Sequence, residues 1–207
     1  MMAPEPVAAE RAYQLLKKDI ICGRFMPGST VIERVMAGEY GVSVSPLRDG
    51  AQRLVGEGML EIAGGGGYCV PPMPAEALHD LYAWHSHLIR LVIKSALLKL
   101  GSSAPVDPLP TGASDTDVAE AATELFHVFA RSVGNLEFAR ALHAANDRLH
   151  PVRLREGRVL TNLAGELSAV MMTTVHGSGP DRFEVLWAYH RRRLRRVNRI
   201  AVALLMA

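Results

Sequence analysis

Arg48, Gln52 and Arg53 follow closely on Ser43 and Ser45, and four consecutive glycines, Gly64–Gly67, come soon after. These are side chains that can read and hold nucleic acid. An arginine grips a guanine edge through two hydrogen bonds, and a glutamine does the same for adenine. Serine hydroxyls donate to phosphate oxygens. Glycines such as Gly65 and Gly66 let backbone approach a phosphate or a minor groove without a side-chain clash. Arg48 and Gln52 are four apart, so on a helix they share a face. Taken singly, each feature has a plainer meaning. A Ser-Pro pair is usually a helix cap, lone arginines are usually solvated, and a glycine run is usually a turn. Their order within one unit is what points to DNA.

The surrounding pattern supplies the elements that such a unit needs. Apolar residues recur at helical spacing from Ala9 to Cys22, and Gly23 ends that helix. Pro27-Gly28 marks a turn. A second helix fits Ile32–Tyr40, with Val35 and Met36 facing inward and Gly41 closing it. Ser45 reads as the cap of a third helix, with Pro46 at its first position, running to about Glu57. Leu47, Ala51, Leu54 and Val55 form its apolar face. Met59–Ile62 and Tyr68–Val70 read as a hairpin around the glycines. Pro71-Pro72-Met73-Pro74 then breaks the pattern and sets a boundary. Residues 1–8 read as a frayed arm, residues 9–73 as a winged helix-turn-helix domain, and residues 75–207 as an all-helical domain. In the second domain helices are expected at 75–100, 117–132, 135–156, 158–176 and 180–206, with a loop over 101–115. The fold class is therefore mainly α: an N-terminal winged helix-turn-helix with a small β-hairpin wing, then an all-α helical bundle.

Composition narrows the function classes. A chain of 207 residues, 49% hydrophobic and 21% charged, is an ordinary globular protein that can bury a core. The net charge of +2 does not mark a nucleic-acid binder, so any DNA contact must come from local clustering. Cys22 and Cys69 have no CxxC spacing and read as reduced thiols in the cytoplasm. No signal peptide pattern is visible, and the apolar stretches are too short or too charged to span a bilayer, so no membrane partner is expected. There is no GxSxG, no phosphate loop and no dinucleotide fingerprint, and the glycine run lacks the following helix that a phosphate loop needs. An enzyme is not indicated.

The run PGSTVIERVMAGEYGVSVSPLRDGAQRLVGEGMLEIAGGGGYCV resembles the signature of the GntR family of transcriptional regulators. Pro27, Gly28, Glu33, Gly41, Val42, Ser43, Ser45, Pro46, Arg48, Leu54, Glu57, Gly58 and Val70 match. The resemblance implies a sequence-specific regulator, a double-stranded DNA operator as partner, and a homodimer. It adds Glu33 to the DNA-facing set of Ser43, Ser45, Arg48, Gln52, Arg53, Gly65 and Gly66. Two positions depart from the family. Val44 stands where arginine is common, which removes one DNA contact. Gly50 stands where alanine is common, and a glycine inside a helix costs about 1 kcal/mol relative to alanine.

The remainder resembles the ligand-binding domain of the FadR branch of that family, through Leu125-Phe126-His127 followed by Gly134-Asn135. The resemblance implies a small-molecule effector, carboxylate in type, and in many members a divalent metal. Carried over residue by residue, His127 and His190 match two metal ligands. Thr123 and Ser168 stand where an aspartate and a histidine are expected, and both are poor ligands for Zn²⁺. A degenerate site is favoured over a working one, and no cofactor is assigned. His85, His127, Arg153 and His190 are the candidate effector contacts. Two alternatives remain open: a metal-dependent enzyme on the helical domain, and an effector-blind DNA binder. The basic run from His190 to Arg199 reads as a solvated or interdomain face, with a second DNA contact ranked lower.

Overall fold

The computed structural model describes residues 5–94, 109, 110 and 112–206. The end of the helix expected at 75–100, and most of the loop expected at 101–115, lie outside the described residues. So do residues 1–4 of the expected arm. The chain divides into two compact units, Met1–Met73 and Pro74–Ala207. Among the described residues no helix is long and apolar enough to cross a membrane.

In the first unit α1 (Glu5–Ile21) buries Ala12, Leu16 and Ile20. It begins earlier than its apolar periodicity suggested, so residues 5–8 are helical and not a frayed arm. α2 (Glu33–Tyr40) follows, then α3 (Val44–Gly56). Between them Gly41 takes φ 65, the left-handed cap that lets the chain turn sharply. α2 buries Met36, Ala37 and Tyr40, whereas Val35 is 50% exposed and does not face inward as expected. α3 starts earlier than the Ser45 cap suggested. Ser43 is its N-cap and Pro46 lies inside the first turn. Proline is tolerated there because the N–H groups of a first turn have no intrahelical partner.

The hairpin strands are β2 (Glu61–Ile62) and β3 (Tyr68–Cys69). A further strand, β1 (Thr30–Val31), was not foreseen. All pair antiparallel in the order β1-β3-β2, with Val31 and Ile62 both opposite Tyr68. Leu47, Ala51 and Leu54 of α3 pack with Leu16, Met36, Tyr40, Met59, Leu60 and Tyr68 in one core. This fixes α3 by its apolar face and leaves the opposite face to solvent.

The second unit holds α4 (Ala75–Lys94), α5 (Asp115–Ser132), α6 (Leu136–Glu156), α7 (Leu163–His176), α8 (Gly179–Leu194) and α9 (Val197–Leu204). Two expected helices are changed. The one placed at 158–176 begins only at Leu163, after a turn in which Asn162 takes φ 53. The one placed at 180–206 is broken at Arg195–Arg196 into α8 and α9. Reciprocal Ser114–Asp117 and Ser178–Asp181 capping boxes start α5 and α8. α4 packs on α6, α8 and α9, and α5 packs on α6 and α7. Phe126 and Phe129 of α5 lie fully buried, as do Leu78, Leu88 and Val92 of α4.

Candidate DNA interface and buried polar cluster

The exposed face of α3 carries Ser45, Arg48, Asp49 and Gln52 on its N-terminal turns, beyond the capping residue Ser43. Arg48 is held from below, its Nε donating to Glu33 Oε2 at 2.7 Å while its side chain stays 61% exposed. Glu33 is thus a support for Arg48 rather than a group facing an anionic backbone, which would repel it. Gln52 Nε2 donates to the Tyr68 hydroxyl at 2.9 Å, linking α3 to the wing root. Arg53 sits elsewhere. Its guanidinium lies 3.8 Å from the centre of the Tyr13 ring and bonds Glu10 Oε2, both on α1. Those partners draw it to the α1 edge of the helix, away from Ser45, Arg48 and Gln52. Gly64, Gly65 and Gly66 are exposed at the wing tip, where Gly66 N–H closes a turn onto Ala63 O at 2.8 Å. Arg34, exposed in the first turn of α2 and next in sequence to Glu33, is a cation that periodicity did not single out.

Gly50 has a different role from the one its helix cost implied. It is buried against α1, and a Cβ there would meet Tyr13 N at 2.8 Å and Tyr13 Cα at 3.0 Å. Its missing side chain is what lets α1 and α3 approach. Val44 packs partly buried against the same core.

In the helical unit the candidate residues gather in two groups. The first surrounds Phe126. The His85 ring meets it edge-on at 4.6 Å, Tyr189 and His190 lie at 5.6 and 5.9 Å, and the Arg153 guanidinium lies over it at 5.2 Å. His85 Nδ1 and His190 Nε2 are 2.8 Å apart, and His190 Nδ1 donates to Leu186 O at 2.7 Å. Arg153 donates to Thr123 Oγ1 and to Asn146 Oδ1, both at 2.8 Å. The second group is His127, whose Nε2 is 2.8 Å from Asp147 Oδ1 and whose ring lies 4.8 Å from that of His143. His127 and His190 are therefore bonded to different partners and do not form the expected metal pair. Ser168 accepts from Leu109 N–H at 3.2 Å. Trp84 is 49% exposed.

Residues 8–70 match the family model described as bacterial regulatory proteins, gntR family. That match covers the N-terminal domain, which is similar to the DNA-binding domain of this family. The chain is 28% identical over 97 residues to the HTH-type transcriptional repressor GlaR of Escherichia coli strain K12, covering 47% of this chain and 44% of GlaR. It is 25% identical over 152 residues to the HTH-type transcriptional regulator YdhC of Bacillus subtilis strain 168, covering 69% of this chain and 68% of YdhC. The alignment with GlaR thus spans less than half of that repressor. The fold matches the solved structure of E. coli McbR/YncC with a TM-score of 0.70 at 14% identity, over 96% of this chain and 99% of that one.

The helical domain does not offer the metal ligands that the resemblance to the FadR branch implies. Among the described residues no three His, Cys, Asp or Glu side chains converge to hold a metal ion. At the position of the expected aspartate, the Thr123 hydroxyl accepts from Arg153 and lies 2.8 Å from His150 Nδ1. A guanidinium at that distance repels a second cation. The residues therefore do not fit a divalent metal.

The electrostatics of this domain are dominated by burial. It drives the His190 pKa down to about 3, with Leu186 O opposing the shift and the Arg193 and Arg153 charges adding to it. Burial, with the Arg153 charge assisting, lowers His150 to about 4. His85 is held well below its ordinary range by burial first and then by His190, Arg153 and Arg193. All three rings are neutral at pH 7. The basic run is resolved into distinct roles. Arg193 is buried on Glu156, and Arg192 bonds Thr161 O and pairs with Glu166. Arg191 stacks on Trp187, while Arg195, Arg196 and Arg199 line an open cleft with Val159 and Thr161.

Proposed function

We propose that this chain is a ligand-responsive transcriptional regulator that binds operator DNA through the exposed Ser45–Arg48–Gln52 face of α3. That face, lying within the gntR-family match, is the observation that carries the reading. Arg48 and Gln52 would read base edges, Ser43, Ser45 and Arg34 would hold phosphates, and Gly65 and Gly66 would bring the wing backbone against the duplex. Glu33 and Arg53 act on the framework, the first by aiming Arg48 and the second by tying α3 to α1. Two copies would place their α3 helices in successive major grooves, roughly 34 Å apart. Trp84 and Leu91, 49% and 45% exposed and on one face of α4, support a second copy as their cover.

The effector would be a small carboxylate in the helical domain, with His85, Arg153 and His190 around it and His127 one helical turn beyond Thr123. Its support is a set of buried polar atoms without a partner among the described residues: Arg153 Nε and Nη2, His85 Nε2 and the Tyr189 hydroxyl. Buried polar groups are otherwise satisfied almost without exception. The effector would act by binding one of two domain states better than the other.

Selection of bound duplexes from a random-sequence pool, using the full chain, tests the DNA reading. A two-fold symmetric motif is expected, and light scattering should give twice the chain mass. Recovery of no preferred sequence would refute the reading.

A further inference from the structure

Arg153 and Arg193 are both almost fully buried, at 3% and 2% exposure, yet their surroundings differ in kind. Arg193 is neutralised by Glu156 at 2.8 Å and Glu166 at 3.0 Å. Among the described residues Arg153 has only neutral acceptors, the Thr123 hydroxyl and the side chain and carbonyl of Asn146. All three of those bonds use one nitrogen, Nη1. Nε and Nη2, which form the side-on fork of a guanidinium, have no partner among the described residues. An uncompensated charge in a protein interior is strongly unfavourable. Its retention here, with a carboxylate-shaped pair of donors left open, calls for an anion.

The second half of the site follows from the histidine chain. Leu186 O can only accept, so His190 Nδ1 carries the proton and its Nε2 is a bare acceptor. His85 Nδ1 must then carry the hydrogen that bridges the two rings. That leaves His85 Nε2 as a bare lone pair, fully buried and without a partner among the described residues. It can accept a hydrogen bond but cannot give one. His85 and Arg153 share a neighbour, the Phe126 ring. Thr123, which stands where the FadR branch implies a metal-binding aspartate, is bonded to Arg153 itself.

We infer that the Arg153 guanidinium takes the place of the divalent metal, and that the helical domain binds a small hydroxy-carboxylate without metal. The carboxylate sits on the Arg153 Nε/Nη2 fork, and the ligand's hydroxyl donates to His85 Nε2. This rests on the effector reading above and sharpens it. It replaces metal coordination by a charge that is part of the chain, so ligand affinity is independent of metal supply. It also explains why Thr123 is not acidic: a carboxylate there would neutralise Arg153 and compete with the ligand.

The test uses the full chain after exhaustive chelation, with elemental analysis, and glycolate, lactate and malate as probes. At saturating probe the melting temperature should rise by about 3 °C or more in at least one case. The matched acids without a hydroxyl, acetate, propionate and succinate, should bind at least ~10-fold more weakly, as expected when a buried acceptor is left unpaired. Restoring Zn²⁺ or Mn²⁺ should leave the shift unchanged. Arg153→Gln should abolish the shift while the ligand-free melting temperature stays equal or rises, because an unpaired buried charge has been removed. A merely structural arginine would give the opposite, a fall in ligand-free stability. His85→Phe, which keeps the ring contact, should erase the hydroxyl preference and spare carboxylate binding. A shift that appears only with metal would overturn this inference and leave the effector reading intact. No shift with any acid, with or without metal, would overturn both.

Discussion

Arg24, Arg48 and Arg53 of the first domain are 43%, 61% and 49% exposed, and each bonds a nearby carboxylate at the surface. Arg153 and Arg193 of the second domain are buried, together with the rings of His85, His150 and His190. The contrast extends to composition: all eight histidines and both tryptophans fall after residue 73. A DNA-binding surface works in water, where charges are cheap to display and exposed ion pairs contribute little. A small-molecule site works by excluding water, where every charge and every proton must be placed. The first domain therefore tolerates changes among its ion pairs, and the second does not.

Breaking one ion pair in each domain gives the largest expected difference. Glu156→Ala leaves Arg193 buried with only Glu166 opposite it, and also strips the Tyr82 hydroxyl of its acceptor. A loss of about 3–5 kcal/mol is expected in urea unfolding followed by tryptophan fluorescence. Glu10→Ala, which removes the exposed partner of Arg53, should cost no more than about 1 kcal/mol by circular dichroism. Equal losses would remove the distinction.

Acid separates the domains next. His190 and His150 have pKa values lowered to about 3 and about 4, so as pH falls below the ordinary histidine value the unfolded chain takes up protons first. Stability of the helical domain is therefore full above pH ~6.5 and is lost towards pH ~4. Each ring so held costs about 2 kcal/mol between pH 6.5 and 5. The first domain has no histidine and should hold its stability through that window. Thermal unfolding at pH 7.5 and 5 should show only the tryptophan-reported transition moving down. A parallel shift of both would count against the burial of these rings as its source.

Gly50→Ala sharpens the comparison from the other side. By helix propensity the change should stabilise, but the added Cβ would press on the Tyr13 backbone at 2.8 Å. A backbone neighbour yields little, and a loss of about 1–3 kcal/mol is expected. A gain in melting temperature would restore the propensity argument.

The two domains also differed in how much the sequence disclosed. The winged helix was legible because its elements are contiguous and its punctuation, Pro27-Gly28, Gly41, Pro46 and Gly58, is local. β1 escaped because two residues carry no periodicity. Ser43 escaped as the cap because Ser45-Pro46 offers an equally good local signal. Val35 was misplaced because a helix of eight residues has too few turns to fix its inward face. The function of Gly50 depended on α1, far away in sequence. In the helical domain His85, Arg153 and His190 come from α4, α6 and α8. Their grouping around Phe126 cannot be read from spacing, and a metal pattern carried over from relatives joined His127 to a residue it does not touch. The identity of an unpartnered atom, Arg153 Nε against Nη1, exists only in three dimensions.

The proposed DNA-reading face of α3 has Arg48 on it and Arg53 off it. Fluorescence anisotropy with the selected duplex and a scrambled one, for the full chain and for Arg48→Ala and Arg53→Ala, tests it most directly. Arg48→Ala should lose about 10-fold or more in discrimination between the two duplexes, equivalent to a lost bidentate contact. Arg53→Ala should keep that discrimination while losing a little stability with its Tyr13 stacking. Loss of discrimination by Arg53→Ala with none by Arg48→Ala would contradict the account.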